Sequence, residues 1–127
     1  MDCSGEHGEL RRMMDDFAAL MTRSAERGAA ALPQARLHFS RRFASHMADE
    51  AEYLRALVAS PEGARLQPAF REYEDRVRDL RTDYSAHVRR WTPQTIDRAW
   101  PDYVSAVLAL QDRFRALMDW EERNLAV

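Results

Sequence analysis

Apolar residues recur at steps of three and four along most of this chain, and that spacing restricts it to packed helices. The pattern is sharpest near the middle, where Phe39, Phe43, His46, Glu50, Leu54 and Leu57 form the seam of one amphipathic helix. Two of those six positions are an imidazole and a carboxylate, four residues apart and on one face. Side chains so placed stand about 6 Å apart, close enough to ligate one metal ion or a pair. A carboxylate buried without a partner is costly, so something must meet His46 and Glu50. Taken alone, a His-x-x-x-Glu on a helix is more commonly a surface pair or a satisfied core hydrogen bond. The rest of the chain has to decide.

Three further stretches share the periodicity. His7, Leu10, Met14, Phe17 and Met21 mark a first helix that fades near Gly28, a residue suited to a helix C-terminus. Pro33 fits the first turn of the second helix, which runs to about Ala59. Ser60-Pro61-Glu62-Gly63 reads as a turn. The third helix spans about Gln67 to Trp91, with Phe70, Tyr73, Val77, Leu80, Tyr84, Val88 and Trp91 as its apolar line. Thr92-Pro93 reads as an N-cap and first helical residue of a short turn that Trp100-Pro101 interrupts. The fourth helix starts at Pro101, with Val104, Val107, Phe114, Met118 and Leu125 inward. No segment alternates with period two long enough for a strand. The expected fold is all-α, an up-down-up-down antiparallel four-helix bundle forming one domain over residues 1–127.

Composition narrows the function. Apolar residues make up 46% and charged residues 31% of 127, which suits a globular protein with a sizeable core. No apolar run reaches the roughly 20 residues of a membrane span, and the N-terminus lacks the pattern of a secretory signal. A cytoplasmic protein is expected. All 19 basic residues are arginine, scattered among 21 carboxylates for a net charge of -2, which argues against nucleic acid as a partner. The single cysteine, Cys3, has no internal disulfide partner and is read as incidental. There is no nucleophile elbow or phosphate-binding glycine loop, so no turnover enzyme is indicated.

In such a bundle His7, His46 with Glu50, Tyr73 or Glu74, and Met118 with Glu121 or Glu122 share one half, whereas His38 and His87 belong to the other. Counting rises of 1.5 Å per residue leaves His7 a turn or two from the level of His46, the weaker of the two histidines as a ligand.

A histidine opening helix one, His46-x-x-x-Glu50 followed by Leu54 in helix two, and Glu121-Glu122-x-x-Leu125 closing helix four resemble the hemerythrin-like domain family over essentially the whole chain. The resemblance implies a hemerythrin-like bundle that holds iron, one ion or two, through His7, His46, Glu50 and Glu122. It implies binding or sensing of O2, NO or iron itself. The chain departs from the family at two places. Helix three has Tyr73, Glu74, Arg76 and Val77 where the family carries histidines, and helix four has Met118 where the family carries another. A thioether is a poor substitute ligand for iron held by nitrogen and oxygen.

Two readings follow. One is a non-haem iron protein whose partners are a metal ion and a small diatomic ligand. The other is a metal-free helical module with no cofactor, acting in regulation through a protein partner or a homo-oligomer. A haem pocket using Met118 and a histidine is a minor third reading, because two carboxylates at that level are out of place beside haem.

Overall fold

A computed structural model describes residues 4–23 and 31–125. Among these residues every regular element is helical, with no strand. Helix α1 spans Ser4–Arg23, α2 Leu32–Ala59, α3 Gln67–Arg90, α4 Pro93–Arg98 and α5 Trp100–Asn124, with a 3-10 turn at Ala64–Leu66 before α3. The expected C-terminal role of Gly28 and the reading of Cys3 lie outside the described residues.

The helix starts follow local chemistry. Prolines occupy the first turn of α2, α3, α4 and α5, where a missing N–H leaves no intrahelical bond unmade. Thr92 is an N-cap in extended conformation whose hydroxyl accepts the Thr95 backbone N–H at 3.2 Å. The α2 helix ends at Ser60, which donates its hydroxyl to the Leu57 carbonyl at 2.6 Å. Gly63 closes the turn, its N–H donating to the Ser60 carbonyl at 3.2 Å. A Cβ built at Gly63 would lie 2.0 Å from the Leu57 carbonyl oxygen, so close approach, not left-handed backbone, demands glycine there.

The four long helices contact one another in a closed ring, α1 with α2, α2 with α3, α3 with α5 and α5 with α1, while α4 packs on α5. Two apolar clusters fill the interior. One runs from Leu10 and Met14 through Phe43, Leu54, Val58, Phe70, Leu80 and Phe114 to Leu125. The other gathers Met21, Leu32, Trp91, Ile96, Tyr103 and Val107 at the opposite end. Near mid-height Phe39, Phe43 and Tyr84 all direct edge contacts at Phe114, the closest being Phe43 to Phe114 at 4.5 Å between centroids. This aromatic tier divides the interior.

Several side chains depart from the expected lines. Val88, placed in the apolar line of α3, is 42% exposed. On α5, Tyr103, Leu117 and Trp120 are buried as well as the expected residues, and Val104 packs half-buried against the second cluster. The cause is width, since a helix facing two neighbours buries a stripe broader than one line.

Candidate metal centre

Five polar or charged side chains are buried among the described residues, and four of them meet at one level: His7, His46, Glu50 and Glu121. The seam of α2 that carries His46 and Glu50 continues into Leu54 and Val58, which are buried one and two turns on. Helix packing therefore forces both groups out of water along with their apolar neighbours. From α1, His7 reaches the same point: its Nε2 lies 2.9 Å from Glu50 Oε2, and its ring centre 5.0 Å from that of His46. The level difference expected between the two histidines is absent.

Glu121 completes the group from α5. Its Oε2 lies 3.3 Å from His7 Nε2, within ion-pair reach but misaligned, so that neither of its oxygens receives a hydrogen bond among the described residues. His46 Nε2 stands 3.2 Å from Glu50 Oε2 and is likewise without an aligned partner. A buried carboxyl group left without a hydrogen bond costs about 1–3 kcal/mol. Such groups mark a place where the interior is shaped for something other than apolar packing.

The outer faces of both imidazoles are held by carboxylates. His7 Nδ1 donates to Glu122 Oε2 at 2.8 Å, and Glu122 is anchored by Arg11 at 2.7 Å, which also binds Asp119. His46 Nδ1 faces Glu6 Oε2 at 3.3 Å. From α3, the Tyr73 hydroxyl donates to Glu50 Oε1 at 3.1 Å. Orientation of a ligating imidazole through its far nitrogen is the usual companion of a metal site.

The sequence reading of Glu122 needs correction on this geometry. Glu122 is on the outer side of His7, 34% exposed and paired with Arg11, whereas Glu121 is fully buried and faces inward. A signal was present. Val107, Phe114 and Glu121 are spaced by sevens on the buried side of α5, while the register of Glu122 passes through Leu108, which is 41% exposed. Glu6 and Arg11 gave no signal, because nothing in a helical period distinguishes an outer anchor from an ordinary surface charge. Glu74 is exposed, Met118 is buried within the apolar cluster, and His38 is exposed.

Charge within the group is finely divided. Burial pulls the His7 imidazolium down, but Glu121, Glu50 and Glu122 outweigh it and raise the group to about 10. Burial pushes Glu50 up, yet His46 and His7 overcome that and hold it well below the usual carboxylate range. Burial lifts Glu121 to about 8, with Glu50 adding to the rise and His7 opposing it. The surroundings thus favour a charged His7 and Glu50 and a protonated Glu121.

The donor set suits a divalent cation. Ligand atoms about 2.1 Å from an ion stand roughly 2.9 Å apart at adjacent octahedral corners and about 3.4 Å apart in a tetrahedron. His7 Nε2 and Glu50 Oε2 stand 2.9 Å apart, His46 Nε2 and Glu50 Oε2 3.2 Å, and Glu121 Oε2 lies against this group, 3.3 Å from His7 Nε2. His7, His46 and Glu50 each offer one ligand atom, all within 4.8 Å of one another. No helix of the described residues is long and apolar enough to cross a membrane. Comparison with family models, curated proteins and solved structures gives no match to this chain.

Proposed function

We propose that this chain is a hemerythrin-like metal-binding protein, an up-down-up-down four-helix bundle that holds iron through His7, His46, Glu50 and Glu121. The observation that carries the reading is Glu121: a fully buried carboxylate without an aligned donor, beside two imidazoles and a second buried carboxylate. Imidazole and carboxylate donors suit iron. The placement of His7 early in α1, His46 and Glu50 late in α2 and Glu121 late in α5 supports antiparallel packing, as does the meeting of Tyr103 with Trp91 at the other end.

The residues divide the work. His7 and His46 present Nε2 inward while Glu122 and Glu6 fix their far nitrogens. Glu50 and Glu121 neutralise positive charge, and the second oxygen of Glu50 is held by Tyr73. Bound iron would supply an open coordination position for O2 or NO. Leu54 and Leu125, four residues beyond Glu50 and Glu121, are fully buried and would help to keep water from the site. Four protein donors suffice for one ion, and a second ion would need donors beyond this set.

The test is elemental analysis of protein purified without chelators, followed by anaerobic ferrous titration. Saturable binding lost in His46→Ala supports the reading, and no binding at millimolar iron refutes it. A metal-free helical module is the second reading. The bonds from His7 to Glu50 and Glu122 favour it, because they already satisfy both nitrogens of that imidazole.

A further inference from the structure

On the far side of the aromatic tier lies a second cavity of about 430 Å³, open to solvent at one side and walled by α1, α2, α3 and α5. Its size falls in the range of small-molecule sites. Rings form a large part of its wall: Tyr84, Trp91, Tyr103 and Phe114 line it together with His87. His87 is stacked against Tyr84 at 6.3 Å and against Tyr103 at 5.9 Å. These are flat faces, matched to a flat guest.

Two polar groups in the wall have no counterpart. Arg36 is half-buried, sits over the Tyr103 ring at 5.8 Å, and forms no ion pair among the described residues. The other half-buried arginines among the described residues, Arg11, Arg42 and Arg115, are each ion-paired. Gln111 is 6% exposed; its amide nitrogen donates to the Met14 carbonyl at 3.0 Å, which turns Oε1 away from that bond and leaves it with no donor. The Ser40 and Tyr84 hydroxyls satisfy each other. Burial, and then Arg36, holds His87 down to about 4, so the ring is neutral and Arg36 carries the positive charge of the wall.

We propose that this cavity is a binding site for a planar aromatic carboxylate bearing a ring N–H or hydroxyl. The rings clasp the aromatic body, Arg36 pairs with the carboxylate, and Gln111 Oε1 accepts the donor. A guanidinium forks onto a carboxylate through two parallel hydrogen bonds, which an ammonium would not provide. The exposed apolar residues Leu37 and Val88, 51% and 42% exposed, stand at the mouth and cover the rim of a seated guest. This site uses none of the residues assigned to metal and stands or falls independently of it.

The experiment is calorimetric titration of the full chain with three probes: indole-3-acetate, 3-methylindole without the carboxylate, and 1-methylindole-3-acetate without the N–H. Indole-3-acetate should bind saturably and at least tenfold more tightly than either analogue. Arg36→Met should abolish the preference for carboxylate while leaving 3-methylindole binding unchanged, and Arg41→Met on the exposed surface should change nothing. Gln111→Met should equalise the N–H and N-methyl compounds. If Gln111→Met does not fold, the N-methyl comparison on the native protein still reads the same contact. Chelator should leave all affinities unchanged. No saturable binding at millimolar probe, an undiminished carboxylate preference in Arg36→Met, or a dimer in sedimentation that buries Leu37 and Val88 and excludes the probes would overturn the proposal.

Discussion

His7 Nε2 stands 2.9 Å from Glu50 Oε2 across 43 residues of sequence, and both side chains are fully buried. Neither group has a reason to leave water alone; together, with Glu121 beside them, they form an interior charge cluster that apolar packing cannot explain. This contact makes the adjacent pair Glu121 and Glu122 experimentally separable. We predict that Glu121→Gln lowers ferrous affinity by at least 100-fold and weakens the pH dependence of the metal-free melting temperature, since it removes a buried group whose folded value is raised. Glu122→Gln should cost about tenfold, the usual effect of loosening a ligand's outer partner. Equal losses in the two variants would contradict the assignment of inner and outer roles.

Proton release should accompany metal uptake. His7 is raised to about 10 and Glu121 to about 8, so both carry protons at pH 7 that an ion must displace. We predict tighter ferrous binding as pH rises from 6 to 8, with between one and two protons released per ion. Calorimetry in buffers of different ionisation enthalpy measures that number, and a value of zero would sink the prediction.

The metal-free protein should respond to pH in the opposite direction. A folded value above the unfolded one gives stability that is present at low pH and lost as pH rises through the folded value. For Glu121 the window runs from 4.5 to about 8, and for His7 from 6.5 to about 10. We predict that the metal-free melting temperature falls by several degrees between pH 6.5 and 9.5, and that bound iron reverses the fall. His87 acts on the acid side only, its depressed value of about 4 costing stability as pH drops below 6.5.

Gly63→Ala is a test of the fold away from either site. The new Cβ would sit 2.0 Å from a backbone oxygen, which cannot swing away as a side-chain tip can. We predict a loss of about 1–3 kcal/mol in denaturant melts, the scale of overpacking, with metal stoichiometry unchanged.

Tyr73→Phe tests a contribution of α3. It deletes the bond to Glu50 Oε1 and keeps the ring in the core. We predict a loss of about 1 kcal/mol of stability and roughly tenfold in ferrous affinity, read by the same melts and titrations.

Helix positions were legible because Pro33, Thr92-Pro93 and Pro101 punctuate a strong three-and-four period, and His46 and Glu50 were legible because they interrupt it. The level of His7 was not, since counting rises within each helix does not fix how two helices stand against each other. Glu121 and Glu122 differ by one residue, about 100° around the helix, and both lie three or four from Met118 and Leu125; only the longer register through Val107 and Phe114 separates them. The aromatic cavity was not legible at all. Its walls come from four helices, and no single stretch encodes the meeting of Arg36 with Tyr103 or the orphaned oxygen of Gln111.

The tier of Phe39, Phe43, Tyr84 and Phe114 has one more consequence. Three of its rings, Phe39, Tyr84 and Phe114, also line the aromatic cavity, so substitutions in the tier should couple the two chambers, whereas substitutions away from it should add in their effects on stability, as they do for distant sites without shared partners. An engineer could then refit one chamber for a new cation or a new guest while treating the other as fixed hull.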